Sequence, residues 1–468
     1  MRFEPVIGLE CHVQLQTRSK AFSSANASFG GSPNHYTDPY TLALPGTLPV
    51  LNRVAVEYAL KMALATDCQI RRVSRFARKH YFYPDLPKGF QISQYDEPLA
   101  EKGRIRFVLD GETRSVSLIR IHMEEDAGKN IHVSGAPYSL VDLNRAGVAL
   151  IEVVSAPEIH SAKEASEYLK AIRQLVRYLG ICDGNMEEGS LRCDANVSIR
   201  PEGSTQLGTR TELKNINSFE HVQQAIEYEV SRQTQSIESG GRVIQETRLW
   251  DAERGTSHPM RSKEQAHDYR YFPEPDLPPL SVGDDWIETI KAALPELPID
   301  RRARFIADYE LSEYDAGVLS AEKEIADYYD AVVAAGADPK KAANWVTSEY
   351  LAQESPKISA VNLAKLIAMI ESGAISGKIA KEVFANVFAT DESPEEYVKR
   401  AGLAQISDEN AIATICKEVI ALNPKQVEQY RKGNTKLIGF FVGQVMKRTS
   451  GKANPEATNR LLEKLLHE

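Results

Sequence analysis

Cysteine and long apolar runs are both scarce in this chain. Five cysteines are scattered among 468 residues, and no two of them have the C-x-x-C spacing. This pattern is typical of free thiols in a reducing cytoplasm, and it excludes a disulfide framework and a zinc finger. No apolar run approaches the ~18 residues that cross a membrane, and the first residues lack the apolar core of a signal peptide. We therefore expect a cytoplasmic protein without a membrane partner.

Several catalytic signatures are absent as well. The sequence has no G-x-x-x-x-G-K-[ST] phosphate loop, no H-E-x-x-H helix, no G-x-S-x-G elbow and no Ser-rich amidase signature. A net charge of −9 argues against a chain that is basic throughout, but it leaves room for a local basic patch. The length and the ordinary content of 42% hydrophobic and 26% charged residues indicate a globular protein of two or three domains.

Strict alternation of apolar and polar residues at 6–15 predicts a half-buried strand near the amino terminus. Its apolar face would carry Ile7, Leu9, Cys11, Val13 and Leu15. The opposite face would hold Glu10 and His12 side by side, and a carboxylate next to an imidazole can bind a metal or transfer a proton. The alternative is an ordinary solvated strand face.

Two later segments contribute further carboxylates. Alternation at 116–123 predicts a strand with two distinct faces. One face would carry Arg120, His122 and Glu124, and the other Ile119, Ile121 and Met123. Glu125 would fall on the apolar face unless the strand ends before it, and the acids at 124–126 would form either a metal site or a solvated turn. Glu152 stands alone in the apolar run 148–154, so it needs a cation, a metal or several donors, unless an edge strand leaves it in water.

The segment 75–90 interleaves cations with aromatic residues, a combination that can bind phosphates and stack on a base. A plain surface segment would carry fewer aromatic residues. Lys79, Tyr81 and Lys88 are its candidate cofactor-binding residues, and Arg192 joins them from the polar face of a further alternating strand at 189–200. Because several sheet faces carry mixed charges, we expect a cavity with a polar floor.

Ser161 and Glu164 form a capping box that predicts a helix within the first domain. The pattern then changes after the prolines at 273–279, which predict a hinge. From residue 286 onward the apolar periodicity is helical. Between Pro424 and Lys464 nine cations stand against three acids, which marks a candidate RNA-backbone surface. Its candidate contacts are Lys432, Lys436, Lys447, Arg448 and Lys452. The alternative is a solvated helix face.

Eight long motifs run through the first 280 residues: GLECHV (8–13), LPGTLPVLN (44–52), YFYPD (81–85), HMEEDAGK (122–129), VDLNR (141–145), MEEGSLRCDAN (186–196), LKNINS (213–218) and DYRYFPEPD (268–276). They resemble motifs of the B subunits of the bacterial aspartyl/glutamyl-tRNA(Asn/Gln) amidotransferases, the GatB family. GFFVGQVM (439–446) and ANP (453–455) are similar to the helical tail of that family, so the resemblance covers essentially the whole chain.

The resemblance implies a ligase that uses ATP to amidate glutamate or aspartate mischarged on tRNA(Gln) or tRNA(Asn). The B subunit would phosphorylate the side-chain carboxylate, and an amidase (A) subunit, assembled with a small C subunit, would supply ammonia from glutamine. The resemblance also implies catalytic roles for Lys79 and for a Mg²⁺ set of Glu10, His12, Glu125 and Glu152. Strand parity favours Glu124 over Glu125, and Glu125 is preferred only if the strand ends at Met123. Imidazole is an unusual ligand for Mg²⁺, so His12 would bind through water.

The chain departs from the family at one metal site. Many members carry four cysteines that resemble a zinc site, whereas the matching positions here are Ser23, Ala25, Asp38 and Thr41. We therefore expect no zinc. Which mischarged tRNA is the physiological substrate depends on the synthetases of the cell, and the sequence leaves both open.

The fold we predict is α+β. A mostly antiparallel-sheet cradle would occupy residues 1–290 and carry the kinase and amidation chemistry. An all-α domain would follow at 291–405, and a small helical tRNA-binding tail at 406–468. The alternative function, from another class, is a non-catalytic scaffold that presents tRNA to a partner enzyme.

Overall fold

The computed structural model describes residues 2–133, 135–260, 269–404, 408–449 and 451–467. The motif residue Asp268 and the predicted domain boundary after residue 405 lie outside these ranges. The chain forms two compact units, Met1–Asp300 and Arg301–Glu468. The predicted boundary between residues 290 and 291 falls inside the helix Asp284–Ala292 of the first unit. The division into three domains stays a prediction.

The first unit is built mainly of strands. They are β1 (Phe3–Gln14), β2 (Gln69–Ile70), β3 (Val73–Ser74), β4 (Ala77–His80), β5 (Phe90–Ser93), β6 (Ala100–Glu101), β7 (Arg104–Leu109), β8 (Glu112–Glu125), β9 (Lys129–His132), β10 (Ser139–Asp142), β11 (Ala149–Ser155), β12 (Leu191–Pro201), β13 (Thr211–Ile216), β14 (Thr247–Asp251), β15 (Thr256–Pro259), β16 (Phe272–Pro273) and β17 (Leu280–Ser281). Four helices accompany them: α1 (Arg53–Ala65), α2 (Ala162–Tyr178), α3 (Phe219–Glu238) and α4 (Asp284–Ala292).

The main sheet has the strand order β15-β14-β13-β12-β1-β11-β8-β6-β2, with β7 paired to β8 beside this path. Its neighbouring strands are antiparallel except β13 and β14, which are parallel. Three small sheets are formed by β9 with β10, by β16, β4 and β5, and by β17 with β3. The first predicted strand, β1, is therefore an interior strand between β11 and β12.

The two faces of the main sheet differ in polarity. The alternate residues of β1 that were predicted to be apolar are almost fully buried, from Ile7 to Leu15. They share one core with the apolar faces of α1, α2 and α3, which pack on this side of the sheet. The predicted cap of α2 is confirmed, since the Ser161 hydroxyl accepts a hydrogen bond from the Glu164 N–H at 3.1 Å. The opposite sheet face keeps the polar side chains.

A β-bulge interrupts the parity of β8. Leu118 pairs with Ser155 and Arg120 pairs with Val154, so Ile119 is the extra residue between two pairs. Ile119 is 48% exposed, whereas Leu118 and Ile121 on either side of the bulge are buried. The prediction that Ile119 shares a face with Ile121 and Met123 was wrong, because simple alternation does not count an inserted residue.

The remaining elements are helical. The α-helices are α5 (Pro298–Tyr309), α6 (Glu313–Leu319), α7 (Lys323–Ala334), α8 (Pro339–Trp345), α9 (Ala360–Glu371), α10 (Gly377–Val387), α11 (Pro394–Arg400), α12 (Glu409–Leu422), α13 (Pro424–Arg431), α14 (Ile438–Arg448) and α15 (Pro455–His467), with a short π-helix at Val346–Tyr350 and a 3₁₀ turn at Thr435–Leu437. The second unit has two apolar cores, one between Phe305 and Val398 and one between Ile412 and Leu466. The α+β prediction is confirmed. None of the described helices is both long and apolar enough to span a membrane.

Candidate catalytic centre on the polar sheet face

The register of four strands places polar residues in one row. His12 of β1 pairs with Glu152 of β11 on one side and with Arg192 of β12 on the other. Glu152 in turn pairs with His122 of β8. Directly opposite residues of antiparallel strands project from the same face of a sheet. The row Arg192, His12, Glu152, His122 is therefore held by backbone pairing, and Glu10 lies beside it, two residues before His12.

Two side chains of this row, His12 and Glu152, converge with Glu124 of β8 closely enough to share a metal ion. His12 Nε2 lies 3.6 Å from an oxygen of Glu124 and 3.7 Å from an oxygen of Glu152. One ligand atom from each of His12, Glu124 and Glu152 lies within 4.8 Å of the other two. We call these three residues the His12 cluster. His122 Nε2 also lies 3.2 Å from Glu152, which makes it a further partner of the same carboxylate.

The charge of the His12 cluster fits a divalent cation. Glu124 and Glu152 are both buried, and buried carboxylates require a compensating positive charge. Burial alone would raise the pKa of Glu152, but the hydrogen bond and charge of His122, with His12 and Lys79, lower it below its usual range. Two carboxylates and one imidazole form a mixed oxygen and nitrogen donor set. Such a set suits Mn²⁺ or Zn²⁺ directly, and Mg²⁺ when the imidazole binds through water.

Glu10 lies next to the His12 cluster but has different surroundings. Its Oε1 accepts a hydrogen bond from the Asn196 amide at 2.9 Å. Burial and then the neighbouring charges of Glu152 and Glu212 raise the pKa of Glu10. A nearby cation would offset this repulsion, so the geometry is compatible with the predicted metal role of Glu10.

Glu124 and Glu125 have separate partners. Strand β8 continues to Glu125, so the condition under which Glu125 was preferred as a ligand is not met. Glu125 Oε1 forms an ion pair with Lys88 and also accepts a hydrogen bond from the Ile92 N–H at 3.0 Å. Glu124 is the carboxylate that the structure brings into the His12 cluster. The metal role of Glu125 stays a prediction.

The other predicted cofactor contacts surround the cluster. Arg192 donates to Asp126 Oδ2 at 2.8 Å, and its Nε is buried with no hydrogen-bond partner among the described residues. Lys79 Nζ lies 5.1 Å above the ring of Tyr269. Burial and then the charges of Glu124 and Asp126 raise the pKa of Tyr81, which puts this phenol near the same acids.

Sequence reasoning did not select His122 or Asp126 as site residues. Asp126 accepts hydrogen bonds from the Gln14 amide at 2.6 Å and from Arg192, and Arg145 lies 3.6 Å away. Burial would raise the pKa of Asp126, but the charges of Arg192 and Arg145 lower it. His122 already stood on the same predicted face as Glu124, so parity could have identified it. Asp126 follows the strand, and alternation carries no signal there.

A cavity of about 510 Å³ lies against the amino-terminal half of β1. Its apolar walls include Val6, Ile119, Val154 and Leu207, and its polar lining includes Glu10 and Arg210. Such a volume is in the range of small-molecule sites. Glu10 therefore separates this cavity, which we call the Glu10 cavity, from the His12 cluster.

Two further predicted features have partners of their own. At the positions that resemble a zinc site, Asp38 Oδ1 accepts a hydrogen bond from the Thr41 N–H at 2.7 Å. In the tail, Lys432 pairs with Glu428, Arg448 pairs with Glu418, and Lys452 donates to the Gly402 carbonyl. Lys436 and Lys447 have no acidic partner within the described ranges.

An α+β domain with carboxylates, histidines and cations on one sheet face, beside a cavity, is the arrangement of an enzyme with a candidate divalent-metal centre. The chain belongs to the GatB family: residues 5–288 match the GatB/GatE catalytic domain, and residues 327–466 match the GatB domain. It is 55% identical to the B subunit of the aspartyl/glutamyl-tRNA(Asn/Gln) amidotransferase of Solidesulfovibrio magneticus, over 99% of both chains. The proteins of the same name from Thermodesulfovibrio yellowstonii and Desulfotalea psychrophila are 53% and 52% identical, over 100% of both chains.

Proposed function

We propose that this chain amidates glutamate or aspartate mischarged on tRNA(Gln) or tRNA(Asn), with ATP as the source of activation. The observation that carries the proposal is the His12 cluster on a sheet that matches the GatB/GatE catalytic domain from residue 5 to residue 288. A non-catalytic scaffold is not favoured, because the match includes the catalytic domain and the relatives are similar over their full length.

The reaction has two steps. A carboxylate is a poor acyl electrophile, so its oxygen first takes the γ-phosphoryl group of ATP; the new P–O bond forms as ADP leaves. Ammonia then attacks the acyl carbon, the C–N bond forms, inorganic phosphate leaves, and the surplus proton passes to solvent. The first step requires positioning and neutralisation of charge, with no covalent protein nucleophile. This requirement is consistent with the absence of a nucleophile motif from the sequence.

Glu124, Glu152 and His12 are the residues that we propose to hold a divalent cation, Mg²⁺ in the ATP reaction, with Glu10 beside them. When bound, such an ion neutralises charge on the transferring phosphoryl group. His122 would orient Glu152 through its 3.2 Å contact. Glu125, held by Lys88, is the weaker candidate ligand.

We propose that the Glu10 cavity binds the nucleoside part of ATP. Its volume of about 510 Å³ and its apolar walls suit a planar base. Glu10 lines the cavity and also lies next to the cluster, so a nucleotide there would direct its phosphates toward His12. Arg210 is the cation of the cavity wall.

Lys79 and Arg192 are the cations that we propose for the phosphates. The buried Arg192 Nε has no hydrogen-bond partner among the described residues, and a phosphate oxygen would satisfy it. The charge of Lys79 already acts on Glu152. Lys88 is engaged with Glu125, so a cofactor contact from Lys88 would require this ion pair to open. Tyr81 stays a predicted contact.

The relatives are named as the B component of an amidotransferase, which indicates an enzyme of several subunits. We propose that the partners are an amidase (A) subunit, which releases ammonia from glutamine, and a small C subunit. We also propose that the tail holds the body of the tRNA through Lys432, Lys436, Lys447, Arg448 and Lys452. Lys436 and Lys447 lack an acidic partner among the described residues. They can therefore contact phosphates without first breaking an ion pair.

The test uses the full chain assembled with its partner subunits. With mischarged tRNA, ATP and ammonium, we expect amidated tRNA, ADP and phosphate in equal amounts. With hydroxylamine in place of ammonium, we expect the hydroxamate that traps an acyl phosphate. The chain alone should not hydrolyse glutamine. Amidation by ammonium without ATP, or glutamine hydrolysis by the isolated chain, would contradict the proposal.

A further inference from the structure

Five tyrosines form a continuous row beside the His12 cluster. They are, in spatial order, Tyr83, Tyr81, Tyr269, Tyr271 and Tyr95, and we call them the tyrosine row. The first four meet edge to face, with ring centroids 6.0 to 6.3 Å apart. Tyr271 and Tyr95 are stacked, with centroids 4.1 Å apart and planes inclined by 8°. Three separate segments of the chain contribute to this row.

The row is electrostatically coupled to the cluster. Burial raises the pKa of Tyr271, and the charge of Glu124 and, to a smaller extent, that of Glu152 raise it further. Burial and then the charges of Glu124 and Asp126 likewise raise the pKa of Tyr81. The Lys79 ammonium lies 5.1 Å above the ring of Tyr269, within cation–π distance. The row therefore places aromatic faces and one cation next to the carboxylates of the centre.

The outer end of the row is open to solvent. Tyr95 is 54% exposed although one of its faces is covered by Tyr271. Because Tyr271 covers one face of the ring, the opposite face is where a further ring could stack. A planar base placed there would extend the existing stack by one layer, and base–aromatic stacking of this kind is how proteins commonly bind unpaired nucleotides.

The row and the Glu10 cavity lie at different ends of the site. The cavity is lined by Val6, Gly8 and Glu10, toward the amino-terminal end of β1. The row is electrostatically coupled to Glu124 and Asp126. Glu124 pairs with Leu150 of β11, and Leu150 pairs with Gln14, so the row lies toward the carboxyl-terminal end of β1. Phosphoryl transfer has the attacking and leaving oxygens roughly in line, so donor and acceptor approach from opposite sides.

We propose that the tyrosine row binds the 3′-terminal nucleotide of the mischarged tRNA, with the terminal base stacked on Tyr95 and Lys79 near its backbone. The inference rests on the proposed function, because the reacting carboxylate belongs to an amino acid esterified to the terminal ribose. That linkage forces the terminal ribose to lie within one aminoacyl group of the His12 cluster, and the terminal base is attached to this ribose. The tRNA 3′ end is single-stranded, so its base faces are available for stacking.

The test measures stacking directly, with the full complex and an uncharged tRNA whose terminal adenine is replaced by the fluorescent base 2-aminopurine. Stacking on tyrosine should quench its emission upon binding. Tyr95→Ala should abolish the quenching. It should also raise the KM for mischarged tRNA by roughly 5- to 100-fold, because loss of one base–aromatic stack weakens binding by about this factor. Tyr95→Phe keeps the ring and should behave as the native protein. Phe82→Ala is the matched control, because Phe82 is 85% exposed in the same region but is not part of the row.

The outcomes separate this inference from the proposed function. Unquenched 2-aminopurine in a native complex that still amidates tRNA would overturn the tyrosine row and leave the function intact. A Tyr95→Ala variant with a raised KM for ATP and an unchanged KM for tRNA would also overturn it, because the row would then hold the nucleotide. Loss of amidation in the native complex would instead refute the proposed function, whatever the fluorescence shows.

Discussion

Glu124 and Glu125 are adjacent in the sequence and both are buried, yet they are bound to different partners. Glu124 lies in the His12 cluster, whereas Glu125 is held by the Lys88 ammonium and the Ile92 N–H. A carboxylate engaged in an ion pair has fewer lone pairs to offer a metal ion. The partner of each side chain, more than its burial, therefore distinguishes the two candidates.

Mn²⁺ can serve as a probe of the divalent site. We expect Glu124→Gln and Glu152→Gln each to weaken Mn²⁺ binding by at least about 10-fold, which is the smallest effect typical of losing a residue that supports a metal site. Amidation should be abolished while tRNA affinity stays unchanged. Electron paramagnetic resonance titration of the complex measures the first effect. Because Glu125→Gln alone would leave Lys88 buried and unpaired, the comparison uses the double variant Glu125→Gln with Lys88→Met. Stronger loss of Mn²⁺ in the double variant than in Glu124→Gln would favour Glu125 as the ligand.

Lys20 provides a pH test of stability. Its side chain is 1% exposed, and burial lowers the pKa of its ammonium to about 8 despite the nearby Asp38 and Glu125. The native state therefore binds fewer protons than the unfolded state between pH 8 and about 10.5, so the free energy of unfolding gains from Lys20 as pH rises through this window. The gain amounts to ~3 kcal/mol over this window, because the pKa of Lys20 falls from its ordinary value of 10.5 to about 8.

Lys20→Met removes this titration. The stability of the variant relative to the native protein should be highest at pH 7 and should fall by up to ~3 kcal/mol by pH 10. Urea unfolding of both proteins at the two pH values measures the difference between their free energies of unfolding. The contributions of other titrating groups are the same in both proteins and cancel in this difference. Lys378→Met, at an exposed lysine, is the control and should show no such trend. A difference that is independent of pH would contradict the assigned buried ammonium.

At the scale of single elements, local sequence rules apply where an element makes its own contacts. Helix α2 begins at its predicted N-cap, Ser161, although the Glu164 carboxylate accepts from the His160 N–H and not from that of Ser161. Strand β1 has its predicted faces. Strand β8 follows alternation until its bulge at Ile119 and then resumes with the opposite parity. This bulge turns Ile119 toward the Glu10 cavity and leaves Ile121 and Met123 in the core.

Ser161→Ala should destabilise the first unit by ~1 kcal/mol, because the Glu164 N–H would lose the hydroxyl that accepts from it. Ser161→Asp, which keeps an acceptor at this position, should be close to neutral. The midpoint of urea unfolding measures both effects. Amidation should be unaffected in either variant, since α2 packs on the apolar side of the sheet. An equal loss in the two variants would show that the cap does not stabilise the helix.

At the scale of the whole molecule, the His12 cluster and the tail cations belong to different compact units of the chain. The His12 cluster belongs to the unit Met1–Asp300, and the tail cations belong to the unit Arg301–Glu468. The tail has its own apolar core between Ile412 and Leu466, distinct from that between Phe305 and Val398. This separate core makes a truncation at the predicted boundary a reasonable experiment.

Truncation after residue 405 should greatly raise the KM for mischarged tRNA and change kcat less, because it removes the cations and keeps the His12 cluster. Affinity of the intact complex should fall steeply with salt, and removal of each cation that neutralises a phosphate should reduce the log–log slope by ~0.9 or somewhat less. The paired substitution Lys436→Gln with Lys447→Gln should reproduce part of this effect. Lys432→Gln, at a lysine already paired with Glu428, should have a smaller effect. Superimposable salt curves for the intact and truncated complexes would show that the tail does not hold the tRNA.

The sequence by itself determined the α+β class, the faces of β1, the cap of α2 and, through its motifs, the family. These features depend on residues that are near one another in the chain, where alternation, capping and motif identity act directly. Strand parity also paired Glu10 with His12, and Glu152 stood out because a carboxylate in an apolar strand is unusual wherever the strand lies. The resemblance to the family is what grouped these residues into one predicted metal set.

Only the tertiary structure decided which of these groups meet. The pairing of β1 with β11 and of β11 with β8 puts His12, Glu152 and His122 in one row, and no local rule specifies strand order. Glu125 is held apart from Glu124 by Ile92 on β5 and by Lys88 just before it, both more than 30 residues away in the sequence. The tyrosine row likewise joins three segments that are distant in the chain. Contacts of this kind arise from the packing of whole elements, so alternation and composition cannot predict them.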